Sequence, residues 1–228
     1  MKNHLKRLAA PRMWFIKRKG TKYIVKPNPG GHPFQMGLPL ALILRDILHL
    51  AHTGVEVKKI LHNNEVLVDG IRRRDNRFIV GLFDTVSLPN LKLYYRVVLD
   101  VKGRLFLCKI PPSEQNLKIG KVIGKTVLSK GKIQLHLHDG RNIISTTKVD
   151  IGESLLLTVP SQEIKEVVSL RPGNLVFLTQ GKHSGEIGTL KEIKEGLAIC
   201  EMEGQTVETS PSHLFVIGEK KEKITLSG

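Results

Sequence analysis

The sequence predicts an α+β, mainly β protein, in which an extended basic N-terminal arm precedes a small α/β module and two small β-barrel-like domains. Three observations carry this expectation. Helical periodicity is confined to two stretches, LPLALILRDILHLA (38–51) and GVEVKKILH (54–62). From residue 92 onward, β-branched runs such as LYYRVVLDVKGRLFLCKI and GKVIGKTVLSKGKIQLHLHDGRNI recur, separated by turn signals at Lys102-Gly103, Lys130-Gly131 and Asp139-Gly140. Several short strands at that spacing indicate a barrel or sandwich. The first 45 residues, finally, hold ten Lys or Arg and no Asp or Glu, and Pro11, Pro27, Pro29 and Pro33 forbid one continuous helix there.

Taken in order, residues 1–37 form the arm, apart from a short helical turn within 1–9. The segment 38–91 forms a compact unit. Its first helix carries Pro39 in the first turn, where the missing N–H costs little. Thr53 caps the second helix with Glu56 in the capping-box position. Val57, Ile60 and Leu61 form the apolar stripe of that helix, and Asn63-Asn64 ends it, Asn tolerating the left-handed conformation. Val66 and Val68 alternate before a tight turn at Asp69-Gly70, a second short strand follows, and Asp84–Leu88 completes a small sheet. Residues 92–170 form a central β domain and 171–218 a second β unit, with a charged tail over 219–228.

The bulk numbers narrow the function. With 228 residues and 40% hydrophobic side chains, the chain has enough apolar matter for folded cores. Cys108 and Cys200 support neither a disulfide framework nor a cysteine-based zinc site by themselves, and read as buried thiols of a reduced cytosolic protein. No uninterrupted apolar run reaches the roughly 18 residues of a membrane span. A net charge of +15 favours a polyanionic partner, nucleic acid or an anionic membrane. The charge is uneven: +10 over residues 1–45, zero over 46–91, +6 over 92–170 and −1 over 171–228. A mitochondrial transit peptide is also basic and acid-free, but the arm has no Ser and too many prolines, and no apolar core of a secretory signal follows it.

Catalytic signatures are missing: there is no phosphate-binding loop, nucleophile elbow or dinucleotide fingerprint. His136 and His138 share one strand face beside Asp139, yet a third metal ligand at recognisable spacing is lacking, and an ordinary strand face explains them better. His183 and His213 are isolated, and Asp100, Asp139 and Asp150 show no acid–base pairing. No metal, cofactor or small-molecule substrate is expected. Basic residues carry the better signal. Arg72, Arg73, Arg74 and Arg77 follow the Asp69-Gly70 turn, where guanidinium forks suit phosphate, although pairing with Asp69 and Asp75 on a solvated hairpin is an equal reading. Lys118, Lys121, Lys125, Lys130 and Lys132 crowd two neighbouring strands and their turns. Trp14 and Tyr23 can stack on unpaired bases or, for Trp14-Phe15 the stronger reading, anchor the arm to its own protein.

Residues 51–70, with Ala51, Thr53, Glu56, Ile60, Leu61, Asn64, Val66, Val68, Asp69 and Gly70, resemble the S-four-type RNA-binding domain. Gly54 stands where that domain commonly has an RNA-facing Arg, Val57 where it has Ala, and Asn64 where it has Gly. The stretch GNLVFLTQGKHSGEIGTL resembles the KOW motif of SH3-like ribosomal and elongation-factor barrels, at Gly173, Val176, Gly181, Gly185, Gly188 and Ile193, with Asn174 and Leu190 as departures. The order of these modules, with HLKRLAAPR, PNPGGHP, VDGIRRRD and HDGR (138–141), is similar to the archaeal and eukaryotic small-subunit ribosomal protein four family, "e" form, over nearly the whole chain. The absence of a long C-terminal extension points to the archaeal branch.

That resemblance implies a non-enzymatic constituent of the small ribosomal subunit in the cytoplasm, with small-subunit rRNA and neighbouring ribosomal proteins as partners and no membrane. The residues expected on RNA are Lys2, Lys6, Arg7, Arg12, Lys17, Arg18, Lys19, Lys22, Lys26 and Arg45 from the arm and first helix. Arg72, Arg73, Arg74 and Arg77 join them, as do Lys121, Lys125, Lys130, Lys132 and Arg141 of the central segment. The arm is expected to order only on RNA. The near-neutral KOW unit is expected at the periphery, with Lys182 and His183 its only candidate contacts. An RNA-modifying enzyme using the S-four-type module for targeting would need a catalytic domain that no segment supplies. A translation or transcription factor with a KOW barrel, acting off the ribosome, would not require an acid-free arm.

Overall fold

The computed structural model describes residues 4–194, 196–202, 204–219 and 221–226, and of Lys130 the backbone alone. It is mainly β, and the chain divides into two compact units: residues 4–98 with Arg104–Asn116, and residues 99–103 with 117–226. Among the described residues, no helix is long and apolar enough to cross a membrane.

In the first unit the arm is folded rather than free. Strands β1 (Leu5–Lys6) and β2 (Tyr23–Ile24) pair antiparallel, Leu5 opposite Ile24. Ala10, Trp14 and Ile24 are buried, and the Leu105 amide donates to the Met13 carbonyl at 2.7 Å. The expectation of an arm ordered only on RNA is therefore corrected. Its prolines exclude a helix but not an extended chain laid on a folded body, and burial of Ala10, Trp14 and Ile24 offsets the entropy lost in ordering it.

Strand β3 (Gly37–Pro39) leads into α1 (Leu40–Leu42), and the turn then widens over Ile43–Ile47, where the Leu48 amide reaches the Ile43 carbonyl at 2.9 Å. The predicted helix over 38–51 is thus shorter and partly of π type, because Pro39 stays extended and the Leu38 backbone pairs with Val80. Leu38 and Leu40 through Leu44 are all buried, as expected for a helix apolar on every side. Helix α2 (Gly54–Asn63) is capped as its sequence predicts. The Glu56 amide donates to Thr53 Oγ1 at 3.2 Å, and the Glu56 carboxylate accepts from the His52 amide at 2.8 Å. Asn64 is extended rather than left-handed, since the chain turns directly toward the next strand.

Strands β4 (Leu67–Val68) and β5 (Ile71–Arg72) form a hairpin on Asp69-Gly70, both at positive φ (50° and 71°), the geometry of a type I′ turn. Strand β6 (Ile79–Gly81) pairs with β3. Strands β7 (Thr85–Leu88), β8 (Leu93–Leu99) and β9 (Leu105–Lys109) complete a five-stranded sheet of order β5-β4-β7-β8-β9. Residue 92, the expected start of the central β segment, falls inside this sheet. The fully buried Arg96 of β8 is paired with Glu114 at 2.9 Å.

The second unit holds two five-stranded antiparallel sheets. The first has the order β12-β11-β10-β13-β14, from β10 (Leu117–Val127), β11 (Ile133–Leu137), β12 (Asn142–Ser145), β13 (Ser154–Thr158) and β14 (Glu163–Val168). Strand β10 serves both halves: Leu117–Lys121 pairs with β13, and the part from Val122 pairs with β11 after a bulge that bends the strand. The second sheet has the order β18-β17-β16-β15-β19, from β15 (Leu175–Leu178), β16 (Ile187–Lys194), β17 (Leu197–Met202), β18 (Gln205–Thr209) and β19 (Leu214–Gly218). Gly185, before β16, has φ +92°, and a Cβ there would overlap the Asp100 carbonyl. Each sheet covers its own core, Val122, Leu135, Leu155 and Leu157 in one and Val176, Leu190, Cys200 and Val216 in the other.

Candidate nucleic-acid interface

The structure separates the predicted cations into those that face solvent and those used inside the protein. Lys2 lies outside the described residues, as does the Lys130 side chain. In the arm, Lys6, Arg12, Lys17, Lys19 and Lys22 are exposed, and among the described residues none has an acidic partner. Lys22 lies 5.5 Å from the ring centre of Tyr23, itself half exposed and edge-on to His4. The β1–β2 pairing sets Lys6 opposite Tyr23, beside Lys22.

Other arm cations are structural. Arg7 is buried, its Nη1 donating to the Lys17 carbonyl at 2.6 Å and its Nη2 lying 3.7 Å from Asp46. Arg18 donates to the carbonyls of Ala10 and Pro11, both at 2.8 Å. Arg45 donates to Asp46 Oδ2 through Nε and Nη2, at 3.1 and 2.7 Å. Lys26 is half-buried. An arginine whose fork is spent on backbone carbonyls holds the arm's shape, and its charge still contributes to the local field.

In the second group, Arg72 and Arg74 are exposed, with Arg72 also donating to the His62 carbonyl at 3.1 Å. Arg73 stacks over Phe78 at 4.4 Å, and Arg77 Nε donates to the Lys26 carbonyl at 2.9 Å. Among the described residues, none of the four pairs with an acid. Asp69 is consumed by the Thr85 amide at 2.9 Å, and Asp75 by Asn28 Nδ2 at 2.8 Å and the Arg77 amide at 2.9 Å. The two carboxylates of the hairpin thus accept from backbone and amide donors.

In the second unit, Lys121 does not face solvent. Its Nζ donates to the carbonyls of Pro211, Ser212 and Leu214 at 2.9, 2.8 and 2.7 Å, and burial draws its pKa down to about 8. Expected on RNA, it instead fastens β10 to the turn before β19. Lys118 is likewise buried, 2.8 Å from Asp139, which also holds Arg141 Nε at 3.1 Å. The HDGR stretch thus holds a buried carboxylate flanked by the Lys118 and Arg141 cations. Lys125 is exposed but paired with Asp150 at 2.8 Å, which pulls that carboxyl below its ordinary value; Lys132 is exposed. Thr126 and Asn142 hold the His136 ring at 2.9 and 2.7 Å, while His138 packs edge-on to Phe215 at 4.9 Å.

Trp14 is 2% exposed and anchors the arm, whereas Phe15 is 53% exposed, against the expectation for the pair. The Arg104 guanidinium lies 4.7 Å from the Phe15 ring centre. Arg104 was not among the expected residues. No local signal marks it, since its partner lies in a distant stretch of sequence. The exposed cations and half-exposed aromatics of the first unit form a surface that can neutralise phosphates and stack on bases.

The chain is similar to known proteins over nearly its whole length. The model of "Ribosomal family S4e" matches residues 91–164, and the "RS4NT (NUC023) domain" matches residues 1–35. The small ribosomal subunit protein eS4 of Methanocella arvoryzae is 45% identical over 224 residues, covering 95% of this chain and 94% of its own. The protein of that name from Methanocaldococcus jannaschii is 42% identical over 241 residues, covering 99% and 98%. The crystal structure of the 30S ribosomal protein S4e from Thermoplasma acidophilum superposes with a TM-score of 0.69 at 34% identity, covering 81% of this chain and 95% of that one.

Proposed function

The chain belongs to ribosomal family S4e, and from that membership we propose that it is a structural, non-enzymatic constituent of the small ribosomal subunit, bound to small-subunit rRNA in the cytoplasm. The observation that carries the RNA contact is the set of arm and hairpin cations, Lys6, Arg12, Lys17, Lys19, Lys22, Arg72 and Arg74, exposed and without acidic partners among the described residues. Ammonium and guanidinium groups left without carboxylates release counterions from a phosphate backbone, which supplies affinity without reading sequence. Because the arm backbone is already folded, only the side chains remain to be ordered on binding.

In this reading residues 1–37 and 38–91 form the principal RNA surface, with Lys26, Arg73 and Arg77 at its edge. Arg7, Arg18 and Arg45 shape it from within. Lys125, Lys132 and Arg141 supply the weaker contact of the 92–170 segment. Residues 171–218, a KOW-type barrel of near-neutral charge, face protein neighbours or solvent, with Lys182 exposed and His183 held by Glu186 at 3.0 Å. Co-sedimentation of the full chain with small subunits through a high-salt gradient tests the assignment. Retention in the small-subunit fraction is expected, and recovery only in the free fraction would overturn it.

A further inference from the structure

The first unit contains a cavity of about 520 Å³, whose lining includes Arg7, Phe15, Lys17, Lys19, Arg45 and Asp46, together with His49 and His52. That volume falls in the roughly 300–1,000 Å³ range of small-molecule sites. The wall is strongly cationic. Four basic side chains face one carboxylate, and Asp46 is already engaged by Arg45 at 2.7 Å and Arg7 at 3.7 Å. Lys17 and Lys19 are exposed and among the described residues carry no acidic partner, so the described wall holds more positive than negative charge.

The wall is also held in place. The Arg7 side chain is only 9% exposed, and its Nη1 fixes the Lys17 carbonyl at 2.6 Å. The Arg7 Nε is buried without a hydrogen-bond partner among the described residues, a donor left over in an anion-favouring wall. One side of the cavity is aromatic. Phe15 is 53% exposed and carries the Arg104 guanidinium at 4.7 Å; Arg104 itself does not line the cavity.

Clustered cations beside an exposed, cation-backed ring fit an anion joined to a flat π-system. We propose that this cavity receives one unpaired RNA nucleotide, its phosphate on Lys17, Lys19 and Arg45 and its base stacked on Phe15. The assignment rests on the RNA-binding reading above and goes beyond it, since a site of this kind selects a bulged or looped nucleotide over continuous duplex. In an A-form helix the base stays in the stack, so its flat face does not reach an aromatic ring of the protein. A bare inorganic anion would leave the ring unused.

The test uses the full chain and two fluorescent RNA hairpins that differ by a single bulged adenosine, with AMP as competitor. The bulged hairpin should bind about fivefold or more tightly than its bulge-free partner, the factor given by the weakest base–aromatic stacking. Phe15→Leu, at a half-exposed position, should abolish that preference by weakening the bulged hairpin more than the bulge-free one. Lys19→Gln should weaken the bulged hairpin more than the other. Equal binding of both hairpins, or a preference that survives Phe15→Leu, overturns the proposal while the RNA-binding reading stands. Failure of both hairpins to bind overturns that reading and this one together. Displacement by AMP as effective as by the unlabelled bulged hairpin reassigns the site to free nucleotides and also overturns it.

Discussion

The Lys121 ammonium lies 2.7 Å from the Leu214 carbonyl, and with Pro211 and Ser212 it satisfies three backbone acceptors of one turn. A lysine has three donors, and here all three are spent on carbonyls, with no carboxylate partner among the described residues. The charge of a nominally RNA-directed lysine is therefore a device for holding the two sheets of the second unit together through β10 and the start of β19.

Lys121→Met keeps the stem and removes the donors. Each carbonyl that water cannot reach costs about 1–3 kcal/mol when its partner is removed, so the variant should lose at least that much stability. Urea unfolding of wild type and variant measures the loss. RNA affinity and its salt slope should be unchanged where both proteins are folded, because this ammonium does not face solvent; a reduced slope would put Lys121 back on the RNA surface.

That lysine shows where sequence stops being legible. Lys118, Lys121 and Lys125 stand in one run of alternating Gly, Lys and aliphatic residues, and nothing local separates the two buried ones from the exposed third. Their partners lie elsewhere in the chain: the acceptors of Lys121 are some ninety residues away. Features closed by neighbouring residues were legible, namely the Thr53–Glu56 cap and the Asp69-Gly70 turn. The π-type widening of the first helix and the burial of Trp14 beside Leu105 depend on tertiary partners and were not. Of the candidate interface, sequence showed which residues carry charge. Which charges stay free was settled by where carbonyls and carboxylates happen to lie.

Trp14 is the anchor of the arm, buried beside Leu105 and 5.5 Å from Phe34 between ring centres. Trp14→Ala should cost about 3–5 kcal/mol, the usual range for deleting a buried indole or phenyl ring. The loss should be local first. Limited proteolysis should cut the variant within residues 12–26 while the folded body resists, and wild type should be resistant in both parts. Equal protease sensitivity of the two proteins would mean that the indole does not hold the arm.

Glu56 accepts from the His52 amide and the Thr53 hydroxyl, and these bonds, with the His52 contact the larger, hold its carboxyl below the ordinary value of 4.5. A carboxyl lowered in the folded state stabilises it fully above the unfolded value and loses that contribution as the pH falls through the folded one. Wild type should therefore be more stable than Glu56→Gln at pH 7, and the gap should close as the pH falls below 4.5. Urea midpoints of both proteins across that range give the answer, and a gap independent of pH would remove the charge from the cap.

Arg72 and Arg74 are exposed, lack acidic partners among the described residues and sit on the hairpin after the Asp69-Gly70 turn. If both meet phosphates, replacing them with Gln should flatten the dependence of log affinity on log salt by about 1.4–1.8, since each contact contributes roughly 0.7 on single strands and 0.9 on duplex. The fold should be untouched, because neither side chain is buried. Lys182→Gln provides the contrast. It neutralises an equally exposed cation in the segment of near-neutral charge, and its slope should match wild type. Filter binding of small-subunit rRNA from about 50 to about 200 mM salt, the range over which such slopes are read, separates the two. Equal slopes for all three proteins would remove the hairpin from the interface, and a flattened slope for Lys182→Gln alone would move the RNA contact to the C-terminal sheet.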